Sequence, residues 1–374
     1  MIGAAREGAP AIGAAAREEA PAIRAVAREE TSAAGALDFD DATAFERTSA
    51  TPRVSVVVPS YVRPALLHRC LTALAGQDLP GSDFEIVVVH DGPSDAARRL
   101  AEQWAQRLAD RGGPRLKYFQ PRHAGPASAR NTGWRMSCAD IVAFTDDDTL
   151  PAPDWLRRAL EAFTADIDAA WGRIIVPLPA EPTDYEVDAS RLSRAQFATA
   201  NCFCRRKVLG AIGGFDEQFQ SAWREDSDLF FRLLDNGARV VHLPQAVVVH
   251  PVRAAPWGVS LFQQRKVLYD ALLFKKHRVL YRRLIRPTPR WDYYAIVVAL
   301  GGTVLALVTG ATGIALASAG LWGLLTGRFC LARLRPATKC PPHVAEMVVT
   351  SVLIPPLAVF WRMVGALRFK VVFL

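Results

Sequence analysis

Between Tyr293 and Gly327 the chain carries no charged residue. Some 35 helical residues would reach roughly 52 Å, well beyond a hydrocarbon core of ~30 Å. Charge decides between one long helix and two short ones. Arg282, Arg283, Arg286 and Arg290 precede the stretch, and Arg328, Arg333, Arg335 and Lys339 follow it. Because basic residues stay on the cytoplasmic side, both flanks belong there. A hairpin over 293–327, turning near Thr309-Gly310-Ala311-Thr312-Gly313, satisfies this; a single span does not. Each span would be short, about 17 residues. A third apolar segment, 344–361, is basic on both sides and contains Pro355-Pro356, which reads as re-entrant, interfacial or a kinked span. Residues 291–374 thus form a membrane region, and whatever is soluble lies before it.

Apolar residues make up 51% of the chain, with the excess in this C-terminal part, and the net charge is +8. The first fifty residues carry five Arg against nine acids, whereas 253–290 is densely basic. Within that segment, 258–284 reads as one long helix. Leu261, Phe262, Leu268, Leu272 and Leu273 alternate with Arg265, Lys266, Lys275, Lys276 and Arg278. A basic amphipathic helix beside apolar spans fits a membrane interface; the alternative is an ordinary helix packed on the soluble domain. Nucleic acid is excluded as a partner, since no zinc-finger spacing, RNP-like run or other such motif occurs. The six Cys have no framework spacing, so Cys202 and Cys204 read as core filler in a reducing cytosol. In residues 1–50, Ala-Arg-Glu recurs with an eleven-residue period broken by Pro10 and Pro21. A low-complexity tail is expected there, without a signal peptide.

The soluble domain is expected over 51–252. Val54–Val58, Phe84–Val89, Leu116–Phe119 and Ile141–Phe144 are short apolar runs, as for strands buried on both faces. Helices are expected between them, the first opening at Pro64 and another carrying Ala129-Arg130-Asn131. Further strands are expected over 169–176, 197–204 and 246–249. Strands alternating with helices imply an α/β fold with a mostly parallel sheet. No G-x-G-x-x-G follows the first strand, so a dinucleotide-dehydrogenase fold lacks its phosphate loop. The central strand ends in Asp146-Asp147-Asp148. On extended backbone Asp146 and Asp148 share a face while Asp147 turns aside. Carboxylates at a strand's carboxyl end suit Mg2+ or Mn2+, which usually bring a phosphate. The alternative is a solvated acidic loop, with Asp154 capping the next helix. Glu225-Asp226, at another helix start, can likewise serve chemistry or simply complement the helix dipole.

Taken together and in order, Val58-Pro59-Ser60-Tyr61, Val89-His90-Asp91-Gly92-Pro93-Ser94-Asp95, Ala129-Arg130-Asn131, Asp146-Asp147-Asp148, Gly213-Gly214-Phe215-Asp216 and Glu225-Asp226 resemble a family 2 glycosyltransferase with the GT-A fold. The resemblance covers about 53–252, plus the membrane-anchored tail of many such enzymes. It implies a Rossmann-like, mostly parallel catalytic domain followed by C-terminal transmembrane or interfacial helices. It also implies a nucleoside-diphosphate-sugar donor, with UDP the expected carrier, and Mg2+ or Mn2+ as cofactor. By motif position, Pro59, Tyr61 and Asp91 would line the nucleoside pocket, with Tyr61 as stacking wall and Asp91 accepting from the base. Arg130 would approach the nucleotide; Arg63 and Gly214 belong to the same donor-binding set. Asp147 would lie near the ribose and Asp148 on the metal, supported by Asp146. Asp226 would be the general base of an inverting transfer, with Glu225 as its acceptor-binding neighbour. His250 is either a metal or diphosphate contact or a structural histidine. His90 stands where such proteins commonly carry an acid, and Pro93 interrupts the usual Asp-Gly-Ser turn. The expected acceptor is a lipid-linked or envelope glycan at the cytoplasmic membrane face, with the catalytic domain in the cytoplasm of a multi-pass protein. Rival readings are a processive polysaccharide synthase, whose Gln-x-x-Arg-Trp is not matched by Gln263-Gln264-Arg265-Lys266, and a catalytically silent scaffold that binds nucleotide sugars.

Overall fold

A computed structural model describes residues 51–373. The expected tail and its eleven-residue repeat lie outside the described residues. Eight strands form one sheet: β1 (Val54–Ser60), β2 (Phe84–His90), β3 (Arg115–Phe119), β4 (Ile141–Phe144), β5 (Leu150–Pro151), β6 (Ala169–Ile175), β7 (Cys202–Arg205) and β8 (Val240–Val249). Their order is β3-β2-β1-β4-β7-β6-β8-β5. The first four run parallel; β7 is antiparallel to both β4 and β6, and β6 and β8 are parallel.

Every residue of β1 and β2 is buried, because helices cover both faces. Val54, Val56 and Val58 face one core, with helices α1 (Pro64–Ala75), α2 (Asp95–Asp110) and α4 (Trp155–Ala162). Val57, one step out of phase, faces the other, with α3 (Pro126–Arg135), α6 (Arg206–Ile212) and α7 (Glu225–Asp235). The period-2 alternation of a strand thus feeds two cores from one apolar run. A short helix, α5 (Asp184–Ser190), closes its N-terminus with a capping box between Thr183 and Glu186.

Two expected elements differ. The strand expected over 197–204 is a 3-10 turn, Thr199–Asn201, followed by β7. Phe197 has φ +56°, which no strand accommodates. The single helix expected over 258–284 is a series of short pieces: α8 (Val259–Gln263), a 3-10 turn, α9 (Leu268–Lys276), α10 (Arg278–Leu280) and a π turn. His277 breaks it with φ −137°, as its ring is drawn to Asp228 (3.1 Å) and Asp235 (3.2 Å). Nor is the apolar face of α9 open to lipid, because Leu268–Phe274 are all buried in the core behind β1.

Among the described residues, three helices are long and apolar enough to cross a membrane: α11 (Trp291–Val308), α12 (Thr312–Leu334) and α13 (Pro341–Arg368). α11 and α12 pack as a hairpin joined at Thr309-Gly310-Ala311. Val298, Val304, Leu305, Leu307, Ile314, Leu316 and Leu324 face outward, a contiguous apolar surface that water would penalise. α13 runs unbroken through Pro355 and Pro356. Its middle packs on Tyr293 of α11, and beyond its end Val371 and Phe373 enter the core that holds Val57.

Candidate functional site

The carboxyl ends of β1, β2 and β4 open onto one cleft, where parallel sheets collect ligands. Asp146, Asp148 and His250 meet there, each offering a ligand atom, all within 4.8 Å of one another. His250 follows β8, and its Nε2 lies 3.5 Å from Asp148 Oδ1. Asp147 is not part of that cluster and is fully buried. It accepts from Ser60 Oγ (2.9 Å) and pairs with Arg63 (2.8 Å). Two hard carboxylates and one imidazole, mutually close, fit a divalent cation such as Mg2+ or Mn2+. A cleft of about 340 Å³ borders Asp148, lined by Leu66, Arg69 and Pro251–Ala254.

Cations offset this acidity. Arg63 Nη1 is 3.4 Å from Asp148 and Arg253 Nε is 3.1 Å. Arg130, buried in α3, reaches in two directions: Nη2 donates to Asp146 (2.8 Å) and Nη1 to Glu225 (3.0 Å). One guanidinium thereby ties the triplet to the start of α7. Burial alone would raise the Asp146 carboxyl, but Arg130, with His250 and Arg63, holds it below its ordinary value. Burial pushes Asp147 up to about 7 despite Arg63. Glu225 is also pushed up to about 7 by burial, against Arg130. Its Oε2 has no hydrogen-bond partner among the described residues, so one ion pair does not repay its desolvation. Asp226 is partly exposed; burial raises it as well, against Arg224 and the Ser227 N–H that donates to Oδ1 (2.6 Å). Of the two acids that open α7, Asp226 is the one partly exposed, and its hydrogen bonds engage Oδ1 alone.

On the far side of the cleft, the exposed Tyr61 ring stacks on His123 at 4.9 Å. Pro59 is buried within β1, just before that turn. Asp91 accepts from Ala124 N (2.9 Å) and Gly125 N (3.0 Å) and pairs with His123 (2.9 Å), so it shapes the loop entering α3. His90 is buried. Its Nδ1 lies 2.7 Å from Gly92 O and its Nε2 accepts from Val62 N, which calls for the Nδ1–H tautomer. Gly214 sits against α3: a Cβ there would fall 2.4 Å from Asn131 Oδ1 and 2.5 Å from Trp134 Nε1, at φ +72°. Asn131 donates to Phe215 O (2.9 Å) and accepts from Phe215 N (2.8 Å), so the Ala-Arg-Asn and Gly-Gly-Phe-Asp motifs are two halves of one contact.

Sequence reasoning quoted Ser60 and Asn131 within motifs but gave them no role, and it missed His123 and Arg253. Arg253 had a signal, since it lies three residues beyond His250 at a strand end. For His123 and Ser60 only tertiary contact reveals the role.

A Rossmann-like sheet with a metal-capable acidic cluster at the carboxyl ends of its strands, followed by apolar C-terminal helices, defines a GT-A protein. The profile of glycosyl transferase family 2 matches residues 55–219, and that of glycosyl transferase family group 2 matches 141–361. The chain belongs to the family 2 glycosyltransferases. It is similar to glycosyltransferase AglE of Haloferax volcanii, at 29% identity over 59% of this chain and 73% of the relative. A validoxylamine A glucosyltransferase of Streptomyces hygroscopicus subsp. limoneus is 29% identical over 58% of this chain and 53% of its own length. The pre-mycofactocin glycosyltransferase of Mycobacterium tuberculosis is 29% identical over 77% of this chain and 58% of its length. The chain thus spans between about half and three-quarters of these relatives. Among solved structures, the mannosyltransferase PcManGT of Pyrobaculum calidifontis, in complex with GDP-Man and Mn2+, matches with a TM-score of 0.53. It is 21% identical over 86% of this chain and 88% of its own, a likeness of fold.

Proposed function

We propose that the chain is an inverting glycosyltransferase. It would move a sugar from a nucleoside-diphosphate sugar to a lipid-linked or envelope-glycan acceptor at the cytoplasmic face of a membrane. The observation that carries this is the Arg130 bridge between two acidic groups with different tasks. One, Asp146 and Asp148 with His250, suits a cation and its diphosphate. The other, Glu225 and Asp226, suits a hydroxyl to be deprotonated.

In this reading the nucleoside lies against Tyr61, and Ser60 and Arg63 hold Asp147 toward the ribose. Asp148 and His250, with Asp146, would hold Mg2+ or Mn2+, which when bound supplies neutralising charge for the leaving diphosphate. Arg63 and Arg253, already beside Asp148, would move onto phosphate oxygens. Asp226 takes the proton of the acceptor hydroxyl as its oxygen attacks the anomeric carbon from the face opposite the diphosphate, which inverts that centre. Arg130 keeps Glu225 oriented beside it. Basic flanks of the α11–α12 hairpin support cytoplasmic placement.

The relatives are named for different acceptors, so neither sugar nor acceptor transfers by name. A thermal-shift panel of UDP-, GDP- and TDP-sugars with Mn2+, followed by radiolabelled transfer into membranes, tests the reading. Stabilisation by one donor and label in an extractable product are expected. Donor binding without turnover would instead favour a silent scaffold.

A further inference from the structure

α9 is an apolar helix buried along its first seven residues, yet it carries a carboxylate among them, Asp270, only 5% exposed. A buried carboxylate persists where its partners repay desolvation. Asp270 Oδ1 accepts from Arg224 Nε at 2.6 Å and from Trp223 Nε1 at 3.1 Å. Its Oδ2 lies 3.8 Å from Arg362 Nη2 of α13.

Arg224 is the residue before α7. Its backbone is left-handed (φ +76°, ψ −6°), and its side chain caps nothing in the helix. Outside glycine such a conformation is disfavoured and persists when surroundings impose it. The contact with Asp270 is what the structure offers as that imposition. Glu225 and Asp226 follow immediately, so the peptide Asp270 holds sets where both carboxylates begin.

α9 also grips α7 further along, because Lys276 and His277 pair with the buried Asp228. α13 in turn grips α9: a Cβ at Gly365 would lie 2.6 Å from Leu268 O, so the two backbones touch. α9 is therefore a splint between the base-bearing helix and the C-terminal membrane-region helix.

We propose that Asp270 is a positioning residue for glycosyl transfer, holding the Trp223–Arg224 turn so that Asp226 meets the acceptor hydroxyl in register with α13. This rests on the function proposed above.

The test uses the full chain in detergent micelles, with water as acceptor and Mn2+ plus the donor that stabilises it most. Nucleoside diphosphate release is followed in wild type, Asp270→Asn, Arg224→Gly and the double variant. Misplacing a base by a fraction of an ångström should lower kcat about 10- to 100-fold, with donor KM within about twofold of wild type. In the Arg224→Gly background, where glycine adopts the left-handed conformation unaided, Asp270→Asn should cost little more. Amide exchange supplies a readout independent of turnover. Asp270→Asn should speed exchange over residues 223–229 about tenfold while β1 and β2 stay protected. Unchanged exchange at 223–229 overturns the proposal, as does faster exchange throughout the molecule, which would mean general destabilisation. Equal loss from Asp270→Asn in both backgrounds also overturns it. Absence of donor stabilisation and turnover in wild type would instead strike the functional reading, and the exchange result would still decide the positioning.

Discussion

Asp226 and Glu225 are adjacent in sequence, but burial gives them different chemistry. Glu225 spends one oxygen on Arg130 and hides the other, while Asp226 stays partly exposed. Asp226→Asn should therefore lower kcat about 10²–10⁴-fold with donor affinity nearly intact. Glu225→Gln should raise acceptor KM instead, and a large kcat loss from Glu225→Gln alone would reverse the roles. A pH profile gives a second check. A base works deprotonated, and burial raises the Asp226 carboxyl above its ordinary 3.8. The acid limb of kcat should thus fall away at a higher pH than an ordinary aspartate would produce, and Asp226→Asn should abolish that limb. For the cation, calorimetry with UDP should show affinity lost both with EDTA and in Asp148→Ala; equal affinity in all three conditions would defeat metal-assisted binding. Gly214→Ala forces a Cβ onto Asn131 and Trp134 at a positive φ. The strain alone should cost about 1–3 kcal/mol, read as a lowered unfolding midpoint. The carboxylates were legible in the sequence as a triplet closing an apolar run, but they lie past the end of β4 with Asp147 and Asp148 in a turn, so the extended alternation expected of them is not what places them. Arg253 and Asn131 were not legible, since an Arg in a loop and an Asn in a helix acquire their partners only through tertiary packing.

Strands were the most legible elements. β1, β2 and β4 are buried on both faces, so their apolar runs have no competing reading, and the β-branched residues agree with the burial. Where one element must serve several surfaces, periodicity misled. The 258–284 pattern averages over a break at His277 that two aspartates of α7 impose, and α9 buries all its early positions rather than one stripe. The hairpin was read from charge; in the structure α11 ends at Val308 and α12 begins at Thr312. Its membrane orientation has a direct test. In a variant lacking the six native cysteines, single cysteines replace Thr288, Thr309 and Arg335. An impermeant thiol reagent applied to intact cells should label only Thr309→Cys, because both basic flanks stay cytoplasmic. Labelling of one flank and not the other would mean a single span.

At the scale of the whole molecule, the three apolar helices do not hang from the α/β domain but complete it. Arg333 of α12 donates to Asp184 of α5 (2.7 Å) and to Thr350 Oγ1 of α13 (2.8 Å), so three parts of the chain share one guanidinium. Val371 and Phe373 lie 8% and 4% exposed in the core that also holds Val57, Phe144 and Leu229, and Trp361, Ala366 and Phe369 pack against it. A soluble fragment ending at residue 290 would open that core. Burying one large apolar side chain contributes about 1.5–3 kcal/mol, so losing two full and three partial contributions removes roughly 5–10 kcal/mol. A domain's entire stability is about 5–15 kcal/mol. The fragment 51–290 is therefore expected to unfold at much lower urea than the chain through residue 373 in detergent, or to aggregate through the exposed face of α9. Replacing Phe373 by Ala in the full chain isolates one part of this. It should cost about 3–5 kcal/mol and lower the urea midpoint of the α/β domain, although the residue lies beyond the end of α13. A fragment 51–290 that is monomeric and unfolds cooperatively at the full chain's midpoint would show that the sheet and its first helices are self-sufficient. α13 would then be an anchor, with no part in holding the fold.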